Sequence, residues 1–123
     1  MLSITKIFEF AYAHTLPNYE GKCKNMHGHN ASLEIEITPS PEDFPTSYEG
    51  MVFDFGDLQK IVGREVIDKL DHTYLNDLIP IPTAENTVLW IRDSLIDYFG
   101  EGLVRVRMYE TSNSYAEWMR EPN

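Results

Sequence analysis

Four histidines carry the chemistry this chain could do: His14, His27, His29 and His72. Two of them form His27-Gly28-His29. In an extended segment, residues two apart project to the same side, so both imidazoles can meet one ion. Gly28 leaves the backbone between them free of a side chain. His14 ends the first predicted strand, and a hairpin-like return through residues 17–30 brings it back beside the pair. Three neutral imidazoles with one open position are the ligand set of a catalytic zinc, which keeps room for water or substrate. A structural zinc takes four closed ligands, usually with several cysteines, and this chain has one cysteine. The competing reading is a set of surface loop histidines that bind nothing.

Cys23 precedes His27 by four residues, between Lys22 and Lys24. Positive surroundings lower a thiol pKa and favour the thiolate. Such a thiolate serves either as a general base beside the ion or as a fourth ligand that closes the site. A buried, inert cysteine is the third possibility. Asp71-His72 follows a predicted helix. If the two side chains meet, the carboxylate fixes the imidazole tautomer and the pair can move a proton. Otherwise they form a solvated helix end. Glu110 falls two residues beyond Met108 on a predicted strand, so its carboxylate points to the apolar side and needs donors there. A flat heterocycle with adjacent N–H groups, such as a 2-amino-4-oxo pyrimidine ring, supplies two. A strand that ends before Glu110 leaves it exposed instead.

These residues need elements to hold them. β-branched and aromatic residues predict a strand over about 3–13. Leu33, Ile35 and Ile37 alternate with Glu34 and Glu36, which predicts a half-buried strand over 32–38. Residues 17–30, rich in Gly, Asn and Pro, read as a long loop. So do the residues around Pro39, Pro41, Pro45 and Ser47, and a short extended piece is expected at Met51-Val52-Phe53. A helix follows, with Asp54 as N-cap and Leu58, Ile61, Val62, Val66 and Leu70 as its apolar stripe. A second helix starts after Pro82, capped by Thr83, and ends at Gly100 and Gly102. Strands over 103–110, with Val104, Val106 and Met108 on one face, and over 114–119 complete the chain. The order strand, strand, helix, helix, strand, strand implies an α+β domain, an antiparallel four-stranded sheet with two helices on one face. The other face needs a partner or a polar coat.

With 123 residues, one domain over 1–123 is expected. The formal charge of −10 disfavours nucleic acid and anionic membranes as partners. No apolar run spans a bilayer and the start of the chain does not resemble a secretory signal. With one cysteine and no internal disulfide, a reducing, cytoplasmic setting is expected.

Six segments, in order, resemble the 6-pyruvoyl-tetrahydropterin synthase superfamily. They are Phe10-Ala11-Tyr12-Ala13-His14, Cys23 to Asn30, Met51 to Leu58, Leu70 to Asn76, Pro82 to Asn86, and Val106 to Thr111. Within it, the likeness is to the 6-carboxy-5,6,7,8-tetrahydropterin synthase branch of queuosine (7-deazaguanine) biosynthesis. Three residues between Cys23 and His27 match that branch, the biopterin branch typically has one more, and a folate-serving branch has glutamate in place of the cysteine. Tyr12 departs from the pattern, since a small residue is commoner there.

The resemblance implies a tunnelling fold (T-fold) assembled as a homohexamer of two stacked trimers, with sites between subunits. It implies a lyase acting on 7,8-dihydroneopterin triphosphate. His14, His27 and His29 would bind Zn2+, and Cys23 would be the base. Asp71, His72 and Glu110 would form the proton relay. Glu110, Thr83, Ala84 and Glu85 would hold the pterin. The alternatives are 6-pyruvoyl-tetrahydropterin synthase and a non-catalytic zinc- and pterin-binding protein. A polyanionic substrate meeting an acidic chain needs local cations, for which Lys22, Lys24, Lys60 and Arg64 are candidates.

Overall fold

The computed structural model describes residues 2–17, 20, 21, 25–39 and 50–122. Cys23, Lys22 and Lys24 lie outside the described residues, as do Pro41, Pro45 and Ser47. Among the described residues, β1 (Ile4–His14), β2 (His27–Ile37), β3 (Thr73–Tyr74), β4 (Leu103–Thr111) and β5 (Ser114–Met119) form one sheet in the order β3-β1-β2-β4-β5. The four long strands are antiparallel, as expected. The two-residue β3, which the periodicity is too short to show, joins β1 in parallel and makes a fifth. β2 begins at His27 rather than near Ser32, so His27-Gly28-His29 belongs to the strand and not to the preceding loop.

Helix α1 (Phe55–Val62) starts at Asp54, whose side chain accepts from the Asp57 amide. It continues through a π-helical turn at Gly63–Ile67 to Leu70. Met51-Val52-Phe53 leads into it without forming a strand. Helix α2 (Ala84–Phe99) starts at Thr83, which accepts from the Asn86 amide. It ends at Gly100, whose φ of 52° favours a residue without Cβ.

Both helices pack on one face of the sheet. Leu58, Val62, Val66 and Leu70 from the first, and Val88, Ile91, Leu95 and Phe99 from the second, meet Leu33, Ile35, Ile37, Val106 and Met108. The alternation expected in β4 is broken once. Glu36 pairs with Arg105 but Ile37 with Leu103, so Val104 bulges out and Leu103 takes its place in the core. Replacing Ile91, which is fully buried, by alanine is expected to cost about 2–5 kcal/mol, read as a lower denaturation midpoint.

The opposite face carries a polar coat. Glu34, Glu36, Arg105, Arg107 and Glu117 stand across from one another on β2, β4 and β5. Arg105 donates to Glu36 at 2.8 Å and to Glu34 at 2.9 Å, and Arg107 donates to Glu117 at 2.8 Å. Burial works against the Glu36 carboxylate, but the Ser3 hydroxyl and the Arg105 guanidinium outweigh it and hold its pKa below the usual carboxylate value. A depressed folded-state pKa stabilises the fold fully above the unfolded-state value and loses that contribution as pH falls through the folded value. Glu36→Gln should therefore flatten the acid limb of stability against pH while leaving its shape near neutrality unchanged. Urea melts between pH 3 and pH 7 would measure this.

Candidate metal centre and adjoining cavity

Antiparallel pairing sets the site. His14 lies directly opposite His27, and Tyr12 opposite His29, at one end of the β1–β2 ladder. The alternation that buries Phe10 and Tyr12 puts His14 on the same face, 1% exposed. The three imidazoles meet edge to face, with ring centres 4.5–5.1 Å apart. Glu110 reaches them from β4. Two residues beyond Met108, it stands on the same side of the sheet as Val106 and Met108, at an extra residue of the β4–β5 ladder, where Tyr109 pairs with Tyr115 but Thr111 with Ser114. Its Oε1 lies 3.3 Å from His14 Nε2 and 3.1 Å from His29 Nε2. One ligand atom from each of His14, His27, His29 and Glu110 falls within 4.8 Å of the others.

The tautomers decide what this group can do. His14 Nδ1 lies 2.8 Å from the Pro82 carbonyl, and His27 Nδ1 lies 2.7 Å from the Asn25 carbonyl. A carbonyl only accepts, so each Nδ1 carries the proton and each neutral ring turns a bare Nε2 inward. Those two Nε2 atoms are 2.9 Å apart. His29 Nε2 is buried without a hydrogen-bond partner. Burial, joined by the His14 and His27 rings, outweighs the pull of Glu110 and lowers the His29 pKa, which favours its neutral form. The bare Nε2 atoms of His14 and His27 thus converge with His29 Nε2 and a carboxylate oxygen of Glu110. A cation bound through imidazole and carboxylate satisfies such a set, and this donor chemistry fits zinc.

Tyr12 belongs to the site, although the motif reading treated it only as a departure. It is 4% exposed, and its ring packs against His14 and His29 with centres 5.2 and 5.5 Å away. Its hydroxyl donates to Glu110 Oε1 at 3.4 Å. Burial, and then the Glu110 charge, push the phenol pKa well above its ordinary value, so the O–H stays a donor. Its position two residues before His14 was the available signal.

A cavity of about 460 Å3 opens beside Glu110, lined also by Ala84, Glu85, Val88, Tyr115 and Trp118. Ala84 and Glu85 therefore share this cavity with Glu110. The Thr83 hydroxyl oxygen is engaged in capping α2.

Asp71 and His72 do meet: Oδ2 is 3.0 Å from Nδ1, while Asp71 Oδ1 accepts from the Ala11 amide at 2.8 Å. The Ala11 amide first, and then His72, hold the Asp71 pKa below its ordinary value. His72 is 82% exposed and has a φ of 59°, a left-handed conformation fixed by its amide donating to the Ala11 carbonyl. A second cavity, of about 470 Å3, is lined by His72 together with His29, Tyr12, Ala11, Gly28 and Tyr74. Among the described residues, no hydrogen bond or ion pair joins Asp71 or His72 to Glu110 or to the three clustered histidines. Of the candidate cations, Arg64 is occupied by Glu65 and Tyr98 on α1's side of the molecule.

Among the described residues, no helix is long and apolar enough to cross a membrane. The chain is similar to a protein of Archaeoglobus fulgidus provisionally named 6-carboxy-5,6,7,8-tetrahydropterin synthase, 42% identical over 111 residues, 90% of each chain. It is also similar to the 6-carboxy-5,6,7,8-tetrahydropterin synthase of a Synechocystis species, 37% identical over 96% of this chain and 93% of that one. The fold matches the structure of Caenorhabditis elegans 6-pyruvoyl tetrahydropterin synthase with a TM-score of 0.80 at 23% identity, covering 98% and 96% of the two chains. That likeness makes the architecture a tunnelling fold. Residues 3–121 match the family described as 6-pyruvoyl tetrahydropterin synthase, and the chain belongs to that family.

Proposed function

We propose that this chain is a zinc-dependent lyase, a 6-carboxy-5,6,7,8-tetrahydropterin synthase. It converts 7,8-dihydroneopterin triphosphate to 6-carboxytetrahydropterin, acetaldehyde and triphosphate in the queuosine pathway, as one tunnelling-fold domain of a cytoplasmic enzyme. The observation that carries this reading is the convergence of four potential ligand atoms, two of them bare nitrogens 2.9 Å apart, beside a cavity of about 460 Å3.

In this reading His14, His27 and His29 hold the ion. Bound there, zinc supplies Lewis-acid polarisation of the substrate's side-chain hydroxyls. The chain's own groups bind the ring and move protons. Glu110 accepts from two adjacent N–H groups of the pterin, and Thr83, Ala84 and Glu85 line the rest of the pocket. Cys23, as thiolate, removes a proton from the activated side-chain carbon. Asp71 holds His72 Nδ1, which leaves Nε2 to return protons, with Glu110 completing the relay. Within one chain His72 shares a cavity with His29, and the resemblance implies that the complete site forms between subunits of a hexamer of two stacked trimers.

Metal analysis with product identification tests the proposal. About one zinc per chain is expected, with acetaldehyde and the carboxypterin both found by mass. A pyruvoyl product without acetaldehyde would assign the chain to the biopterin branch, and zinc and pterin binding without turnover would make it a sequestering protein.

A further inference from the structure

Glu110 stands at a junction. One of its oxygens faces the histidines, and its side chain also walls the cavity of Ala84, Glu85, Val88, Tyr115 and Trp118. A carboxylate that must receive a flat heterocycle in one orientation gains from being held there beforehand, because ordering it on binding costs affinity. The histidines do not supply that hold once their nitrogens turn to an ion. Among the described residues, the remaining polar contact is the Tyr12 hydroxyl, 3.4 Å from Glu110 Oε1. Tyr12 is itself rigidly placed: it is buried, and its ring is fixed against Phe10, His14 and His29.

We propose that Tyr12 is a positioning residue for ring recognition: its hydroxyl anchors one oxygen of Glu110, so that the carboxylate presents a fixed edge to the 2-amino-4-oxo ring. Tyr12 touches neither the ring nor the reacting carbon and acts through Glu110. This rests on the pterin reading of the cavity given above.

Tyr12→Phe keeps the ring and its packing and removes only the anchor. The probe is an unreactive pterin, biopterin, titrated by its fluorescence into the full-length protein, both zinc-loaded and metal-free. The expected result is binding weakened roughly five- to tenfold in both forms, since a hydrogen bond to a charged group is being lost. Zinc affinity and the thermal midpoint should stay within twofold and within a degree or two of wild type. In turnover, KM should rise, and kcat should fall with it because Glu110 also completes the relay. Equal biopterin binding by Tyr12→Phe and wild type would overturn the inference while leaving the functional reading intact. Weaker zinc binding with unchanged biopterin binding would also overturn it, because the hydroxyl would then serve the ion. A wild-type protein that binds no pterin would overturn the functional reading and this inference together. Glu110→Gln fixes the scale: Tyr12→Phe should have little further effect in that background.

Discussion

His14→Ala is expected to abolish the zinc binding proposed for this centre. The variant removes one of three inward-facing Nε2 atoms and leaves the Pro82 carbonyl, which now accepts from His14 Nδ1, without its donor. Losing an outer-sphere partner of a metal ligand typically costs 10–100-fold in affinity, and losing the ligand itself should cost at least on the order of a hundredfold. Competition against a coloured chelator would read the zinc affinity directly. His27→Ala should behave alike, with its own carbonyl partner at Asn25. By contrast His72→Ala should leave zinc affinity unchanged, because His72 is not among the grouped ligand atoms and, among the described residues, has no hydrogen bond or ion pair to them. Zinc bound to His14→Ala with wild-type affinity would remove the basis for the proposed chemistry.

Cys23→Ala is expected to divide binding from turnover. If the thiolate is the base, the variant retains zinc at full occupancy and loses turnover by roughly 10²–10⁴-fold, the usual span for a general acid–base group. If the sulfur instead closes the coordination shell, zinc affinity falls along with activity. Measuring both in one preparation separates the two roles that the sequence leaves open. Unchanged activity would dismiss Cys23 from the mechanism. A pH profile adds an independent mark, since loss of a thiolate base should remove the acid-side limb of kcat/KM.

Much of this architecture was legible in the residue pattern, for identifiable reasons. Asp54 and Thr83 are strong caps followed by apolar stripes of helical period, and both helices start where those caps put them. Alternation of Leu33, Ile35 and Ile37 with Glu34 and Glu36 set the orientation of β2, and the same alternation carried back to His29 and His27. What the pattern hid was local irregularity. A bulge at Val104 is invisible in a run of alternating residues, because only the pairing partner reveals that one residue is extra. The bulge at Glu110 is of the same kind. Strand β3 is two residues long and owes its place to the Asp71 carboxylate and the His72 amide gripping Ala11, a tertiary cause no window of sequence contains.

The candidate site divides the same way. His14, His27 and His29 were readable because spacing and strand geometry act over short range. The support given by Pro82 and Asn25 was not, since main-chain carbonyls leave no trace in residue identity. Nor was the link from Tyr12 to Glu110, which spans 98 positions.

The ladder from Ile4 opposite Ile37 to His14 opposite His27 has one further consequence. A strand reads like a two-letter frame, so a single-residue insertion between Phe10 and His14 would hand His14 to the acidic and basic side of the sheet and bring Ala13 inward. The count of residues within each strand is therefore held by the site as well as by the core. Two inserted residues should restore the frame yet displace His14 by a full repeat of about 7 Å, so repair of the pattern alone would not restore the centre.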